Sequence, residues 1–156
     1  MTTATTRHPL VGLAVFVAAV AVTAVVGSLS AVSASERYQA LAQPPWAPPS
    51  WLFGPVWTVL YVLIAVSGWL VWKAEGTTTR LLPYAVQLLL NALWTPLFFA
   101  AERYTLALVD IIALAIAIIW TITAFRRHRP SALLLVPYLA WVLFATALNA
   151  AIVTLN

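Results

Sequence analysis

The stretch PPWAPPSWLFGPVWTVLY, residues 44–61, decides how the rest of the chain is read. It holds five of the ten prolines and three of the eight tryptophans. Pro44, Pro45, Pro48 and Pro49 each fix φ and donate no backbone hydrogen bond, so the segment is expected to be extended and stiff. Gly54-Pro55 reads as a helix start, with proline in the first turn, where its missing N–H is no loss. Beyond it, Trp57, Tyr61, Gly68 and Trp72 fall close to one helical face. A stiff loop studded with indoles, feeding an aromatic helix face, suggests a lid over a pocket.

The composition around this stretch sets the class. Of 156 residues, 63% are hydrophobic and 8% charged. A soluble domain carries about 25% charged residues, so the chain reads as an integral membrane protein. The net charge of +4 is small, and the only basic cluster is Arg126-Arg127-His128-Arg129, which argues against a nucleic-acid partner. With no cysteine there is no disulfide, no thiolate catalysis and no thiolate ligation of haem. No Gly-rich phosphate loop and no metal-ligand spacing occurs, so no metal is expected.

Five apolar runs follow one another in a single domain spanning residues 1–156, at about 10–32, 54–72, 81–101, 106–125 and 131–155. The first covers about 34 Å at 1.5 Å per residue, enough for one bilayer crossing. It exceeds the core of a signal peptide, about 7–15 residues, so it is read as a retained helix. The longest connector is residues 33–53, and the others are short enough to make consecutive helices antiparallel neighbours. The expected architecture is an all-α bundle of five transmembrane helices, with the first long loop as a lid.

Polar residues inside apolar spans mark helix contacts or cavities, because hydrocarbon offers them no partner. Gln87 and Asn91 are four apart on the third span, with Trp94 and Phe98 nearby. Their spacing fits interhelical hydrogen bonds and ligand contacts equally well. Pro96 should kink that span by removing the bond to the Ala92 carbonyl. Asp110, near the start of the fourth span, suggests a cap or an ion pair with Arg103. On the fifth span Trp141, Ala145 and Asn149 share a face at i, i+4 and i+8. Trp69, Trp72 and Trp120 suit an interfacial belt, whereas Trp141 lies well inside its span. His8 and His128 sit at helix ends, so a tetrapyrrole held inside the bundle would be bound without histidine ligation.

Four segments together resemble the TspO family, the tryptophan-rich sensory proteins related to the mitochondrial translocator protein. They are residues 44–61, then QLLLNALWTPLFF at 87–99, ALVD at 107–110 and PYLAWVLFATALN at 137–149. The resemblance runs from about Tyr38 to the last residue, in matching order and spacing. It implies a five-helix membrane bundle, usually a homodimer, whose first loop closes over a pocket. It also implies binding of protoporphyrin IX or haem, of sterols, and of isoquinoline carboxamide and benzodiazepine ligands, with no cofactor required. The positions that resemble the family's pocket are Tyr38 and Trp46 in the lid, Trp57 and Tyr61 on the second span, and Gln87, Asn91 and Trp94 on the third. Trp141, Ala145 and Leu148 would line it from the fifth. Some bacterial members are said to promote light-dependent porphyrin degradation, with tryptophans resembling Trp57 and Trp141 implicated. The animal cholesterol motif is absent: Leu148-Asn149 is followed by no Lys or Arg.

Two functions therefore stand: a binding, transport or sensing protein for porphyrin-like ligands, and an enzyme that degrades them. No nucleophile–base pair or general acid falls among the pocket positions, which weakens ordinary catalysis. Photochemistry would need only a bound sensitiser, oxygen and oxidisable indoles.

Charge placement predicts orientation. Arg7, Lys73, Arg80, Arg126, Arg127 and Arg129 fall on one side of the membrane, and Arg37 and Arg103 on the other. That asymmetry places the N-terminus in the cytoplasm, with a bacterial inner membrane as the expected location. A C-terminal alkaline phosphatase fusion should then be active and a C-terminal fluorescent protein dark; the opposite pattern would reverse the topology.

Overall fold

In a computed structural model the described residues are 8–156, so Arg7 lies outside them. Among these residues five segments are long and apolar enough to cross a membrane, and there is no strand. The first is α1, Pro9–Ser30. A short helix α2, Ala34–Ala40, follows within the connector, so the expected loop is partly helical. The proline run stays irregular, and one 3-10 turn at Ser50–Leu52 leads into α3, Phe53–Glu75. Gly76, at φ 76°, ends α3 in the left-handed region that glycine tolerates.

The third span begins as α4, Leu82–Thr95, and continues as a π-helical turn, Pro96–Ala100. The expected disturbance at Pro96 takes this form because proline offers no N–H to the usual carbonyl. The register slips by one, and the Ala101 N–H donates to the Pro96 carbonyl at 2.9 Å. The fourth span is α5, Tyr104–Ala124. The fifth is interrupted: α6, Arg129–Leu134, gives way at Leu135 to α7, Val136–Leu155. Pro137 explains the break, since it removes the bond to the Leu133 carbonyl.

The spans form a closed ring. The first packs on the second and third, the third on the fourth, the fourth on the fifth, and the fifth on the second. Spans two and three are joined by a short turn yet face each other across the ring, so the expectation that every consecutive pair would be adjacent fails there. Side chains bridge that gap: the Tyr84 hydroxyl donates to the Ile64 carbonyl at 2.8 Å. A carbonyl can accept a second bond, and in a dry interior such a bond ties two helices together. Outward faces are apolar, as at Leu89, Val109, Ile116 and Leu143, each at least half exposed in the absence of lipid.

Close packing joins α1 to the ring. A Cβ on Gly68 would lie 2.5 Å from the Tyr84 ring and 2.8 Å from Phe16. A Cβ on Gly12 would meet the Trp72 ring at 2.0 Å. Nearby, the Trp69 Nε1–H donates to the Pro9 carbonyl at 2.9 Å, and Lys73 lies over the Trp69 ring. Small residues matter here because helices in lipid associate through van der Waals contact rather than expulsion of water. Gly68→Ala should therefore destabilise the bundle by about 1–3 kcal/mol, read as a lower thermal midpoint in detergent; an unchanged midpoint would mean that the contact yields freely.

Candidate functional site

Between the first connector and the helix ends beside it lies a partly open aromatic cavity of about 230 Å3. Its wall includes Tyr38 from α2, Phe53 and Trp57 from α3, and Trp94, Thr95 and Phe99 from the third span. Deeper in, Ala145, Leu148 and Asn149 of α7 meet Tyr38, Phe53, Trp94 and Phe98 around a nearly filled space of about 10 Å3. Of the positions the family resemblance implied, Tyr38, Trp57, Trp94, Ala145 and Leu148 line these two spaces. Phe53, Phe98, Phe99 and Asn149 join them, none of which was among the pocket positions that the resemblance implied. Phe98 and Phe99 carried a signal, since they follow Trp94 by one turn of the same helix.

Edge contacts fix the ring orientations. Tyr38 meets Phe53 with centroids 5.3 Å apart, and Phe53 meets Trp141 at 5.8 Å. Trp94 stacks on Phe98 at 5.1 Å. Trp141 stands behind Phe53 rather than on the cavity wall, tilted against Phe144, and its buried Nε1–H has no partner. Trp46 lies on the outer side of the lid, half exposed, with its edge on Phe144. The buried face of α7 runs through Tyr138, Val142, Ala145, Asn149 and Ile152, so Tyr138 rather than Trp141 points to the bundle centre.

The polar residues predicted on the second and third spans meet at that centre. The Tyr61 hydroxyl donates to Asn91 Oδ1 at 3.2 Å. Asn91 Nδ2 donates to the Tyr138 hydroxyl at 2.7 Å, which donates to Gln87 Oε1 at 2.8 Å. Gln87 is fully buried and its Nε2 has no partner. Trp57 covers this network, tilted on Tyr61 at 5.4 Å and edge-on to Tyr138 at 6.2 Å. A second link joins Trp94 Nε1 to Asn149 Oδ1 at 3.2 Å, while Asn149 Nδ2 donates to the Tyr104 carbonyl at 3.0 Å. The expected ion pair between Asp110 and Arg103 is absent among the described residues. Asp110 is buried two turns into α5, with Oδ2 unpartnered, while Arg103 stays exposed about 10 Å back along the axis.

The lid is latched at several points. The Tyr38 hydroxyl donates to the Pro48 carbonyl at 3.0 Å, and Gln43 Nε2 donates to the Tyr38 carbonyl. Burial pushes the Tyr38 phenol above its ordinary pKa. The Arg37 guanidinium donates to the Phe99 carbonyl in the π turn and pairs with Glu102 at 3.3 Å. Ser35 and Ser50 hydroxyls meet at 2.9 Å. The Asn156 carboxamide clasps Ala42 through both atoms: it accepts from the Ala42 N–H at 3.0 Å and donates to the Ala42 carbonyl at 3.1 Å. Asn156→Ala removes both bonds, each worth about 0.5–1.5 kcal/mol. Amide exchange at Ala42 should then accelerate about tenfold, with the exchange of α5 unchanged; equal rates in both proteins would show that the clasp does not hold the lid.

The TspO/MBR family profile matches residues 14–155. The tryptophan-rich protein TspO of Archaeoglobus fulgidus is 45% identical over 129 residues, covering 81% of this chain and 84% of that one. The human translocator protein is 42% identical over 118 residues, 72% of this chain and 70% of its own. The tryptophan-rich sensory protein of Cereibacter sphaeroides is 37% identical over 142 residues, 90% and 89% of the two chains.

Proposed function

Because the chain belongs to the TspO/MBR family, with a membrane sensory or binding role, we propose that its lidded cavity takes planar hydrophobic ligands, protoporphyrin IX or haem first among them. The observation that carries this reading is the cavity itself, walled by Tyr38, Phe53, Trp57, Trp94 and Phe99. Flat aromatic walls suit a flat macrocycle, since offset and edge contacts add about 0.5–1.5 kcal/mol per ring pair beyond burial. The unpartnered Trp141 Nε1–H is a donor for a ligand carboxylate or carbonyl once Phe53 shifts. Sterols and isoquinoline carboxamides belong to the same proposal, as do assembly as a homodimer and a bacterial inner membrane with the N-terminus in the cytoplasm.

The size of the cavity sets a condition. Pockets for drug-sized ligands run to about 300–1,000 Å3, and 230 Å3 falls short of that. The macrocycle therefore enters by displacing the lid, and the latches set the rate of exchange. A second reading, light-driven oxidation of the bound porphyrin, rests on the indoles of Trp57 and Trp94 on the cavity wall.

Titration of the purified protein with protoporphyrin IX in the dark, followed by tryptophan quenching, separates the readings from each other. Trp57→Leu should weaken binding by about three- to tenfold through loss of one flat wall. Trp120→Leu, on the lipid-facing surface, should not. Equal affinities in the two variants would place the ligand elsewhere. Protein-dependent loss of porphyrin absorbance under illumination would support the oxidative reading; stable absorbance would support binding alone.

A further inference from the structure

We infer that the arginine-rich end of the bundle, opposite the lid, holds a site for the phosphate headgroup of an anionic phospholipid. A recess of about 290 Å3 there is lined by Arg80, Trp120, Thr123, Ala124, Arg126 and Arg127. Arg80 comes from the 3-10 turn before α4, and the others from the last turn of α5 and the connector beyond it. Three guanidinium groups from two connectors thus converge where the membrane-spanning part of α5 stops.

Charge at the two ends of the molecule differs. At the lid end Glu36 and Glu102 balance Arg37 and Arg103. At the opposite end Lys73, Arg80, Arg126, Arg127 and Arg129 are set against Glu75 alone. Both oxygens of that carboxylate are engaged, Oε1 with His128 at 2.7 Å and Oε2 with Arg80 at 3.3 Å. Arg80 makes this pair through Nε, and its side chain also lines the recess. Among the described residues Arg126 and Arg127 have no ion pair and no side-chain hydrogen bond. The Thr123 hydroxyl donates to the Ile119 carbonyl at 2.8 Å, so the donors offered to an anion are guanidinium groups. Their fork geometry matches phosphate oxygens.

A lipid, rather than a soluble anion, fits what lies beside the recess. The outward face of α5 leading to it exposes Ile112, Ile116, Ile119 and Trp120, at 45%, 63%, 49% and 48%. The four residues are spaced i, i+4, i+7 and i+8, one continuous apolar strip along which acyl chains can lie. Trp120 stands between strip and guanidinium groups, the place where an indole spans the boundary between hydrocarbon and headgroup. No carboxylate lines the recess, so the choline of a zwitterionic lipid would meet no counter-ion there, only the Trp120 ring beside three guanidinium groups that repel it. Such a lipid would bridge the connector between spans two and three to the one between spans four and five.

Native mass spectrometry of the full chain, released from neutral detergent containing equal amounts of phosphatidylglycerol and phosphatidylcholine, tests this. Each basic residue beside an anionic headgroup contributes about fivefold in affinity. Wild type should retain phosphatidylglycerol over phosphatidylcholine by about tenfold or more. Arg126→Gln/Arg127→Gln should bring the two within about twofold, while Arg103→Gln, at the lid end, should leave the preference intact. Inorganic phosphate at the lipid's concentration should not displace it. Should the double variant fail to fold, Arg126→Gln alone should lower the preference about fivefold. Equal retention of both lipids by wild type, an undiminished preference in the arginine variants, an equal loss in Arg103→Gln, or displacement by inorganic phosphate would each overturn the proposal.

Discussion

Everything in this fold is subject to one constraint: inside the hydrocarbon no water completes a hydrogen bond, so buried polar groups must find one another. The Tyr138 hydroxyl is where the constraint is met. It accepts from Asn91 and donates to Gln87, and Asn91 in turn accepts from Tyr61. Three spans are joined by this chain of bonds. Interhelical bonds in membranes average only about 0.6 kcal/mol, so the network adds modest stability. Its larger effect is on rotation. Turning α7 by one residue would bury Trp141 at the centre and strand two amides, so the bonds select one face of each helix. Trp57 lies directly over the network and thereby acquires the position from which it walls the cavity.

The prolines carry the same logic to the lid. Pro96 cannot continue the α-helical ladder, and the π turn that follows presents the Phe99 carbonyl to Arg37. The residue that breaks the third span thus supplies an anchor for the loop that closes the cavity. Pro48 acts similarly, its carbonyl receiving the Tyr38 hydroxyl. Latches of this kind are individually weak, each about 0.5–1.5 kcal/mol, and several together hold the connector against the helix ends.

How much of this was legible beforehand follows from which signals are local. Five spans were visible because apolar runs of about 20 residues have few other readings. The lid was visible because prolines fix φ regardless of context. Ring order was not visible: the Lys73–Arg80 connector suggested neighbours, yet Tyr84 reaches Ile64 across the bundle. On the fifth span Ala145 and Asn149 do lie on the buried face, and only Trp141 falls beside it, its place taken by Val142. Tyr138 holds the centre and Trp141 stands on the flank, because a tyrosine hydroxyl satisfies Asn91 and Gln87 where an indole N–H cannot both donate and accept. The split at Leu135 followed from Pro137, which had been seen but not read as a break. Asp110 was misassigned for a geometric reason, since seven residues along a helix carry Arg103 out of its reach. The arginine recess came from two connectors far apart in sequence, and no local pattern joins Arg80 to Arg127.

The proposed function turns on a cavity too small for a macrocycle as it stands, beside a connector that would have to lift to admit one. The chain has no cysteine, so a spin-label pair can be placed cleanly at Ala40→Cys on α2 and Thr105→Cys at the start of α5. The distance distribution between them, measured by pulsed electron resonance in liposomes with and without protoporphyrin IX, tests the claim directly. A single short distance that lengthens by several ångströms on saturation with the porphyrin is the predicted result. An identical distribution in both states, with the porphyrin demonstrably bound, would contradict it.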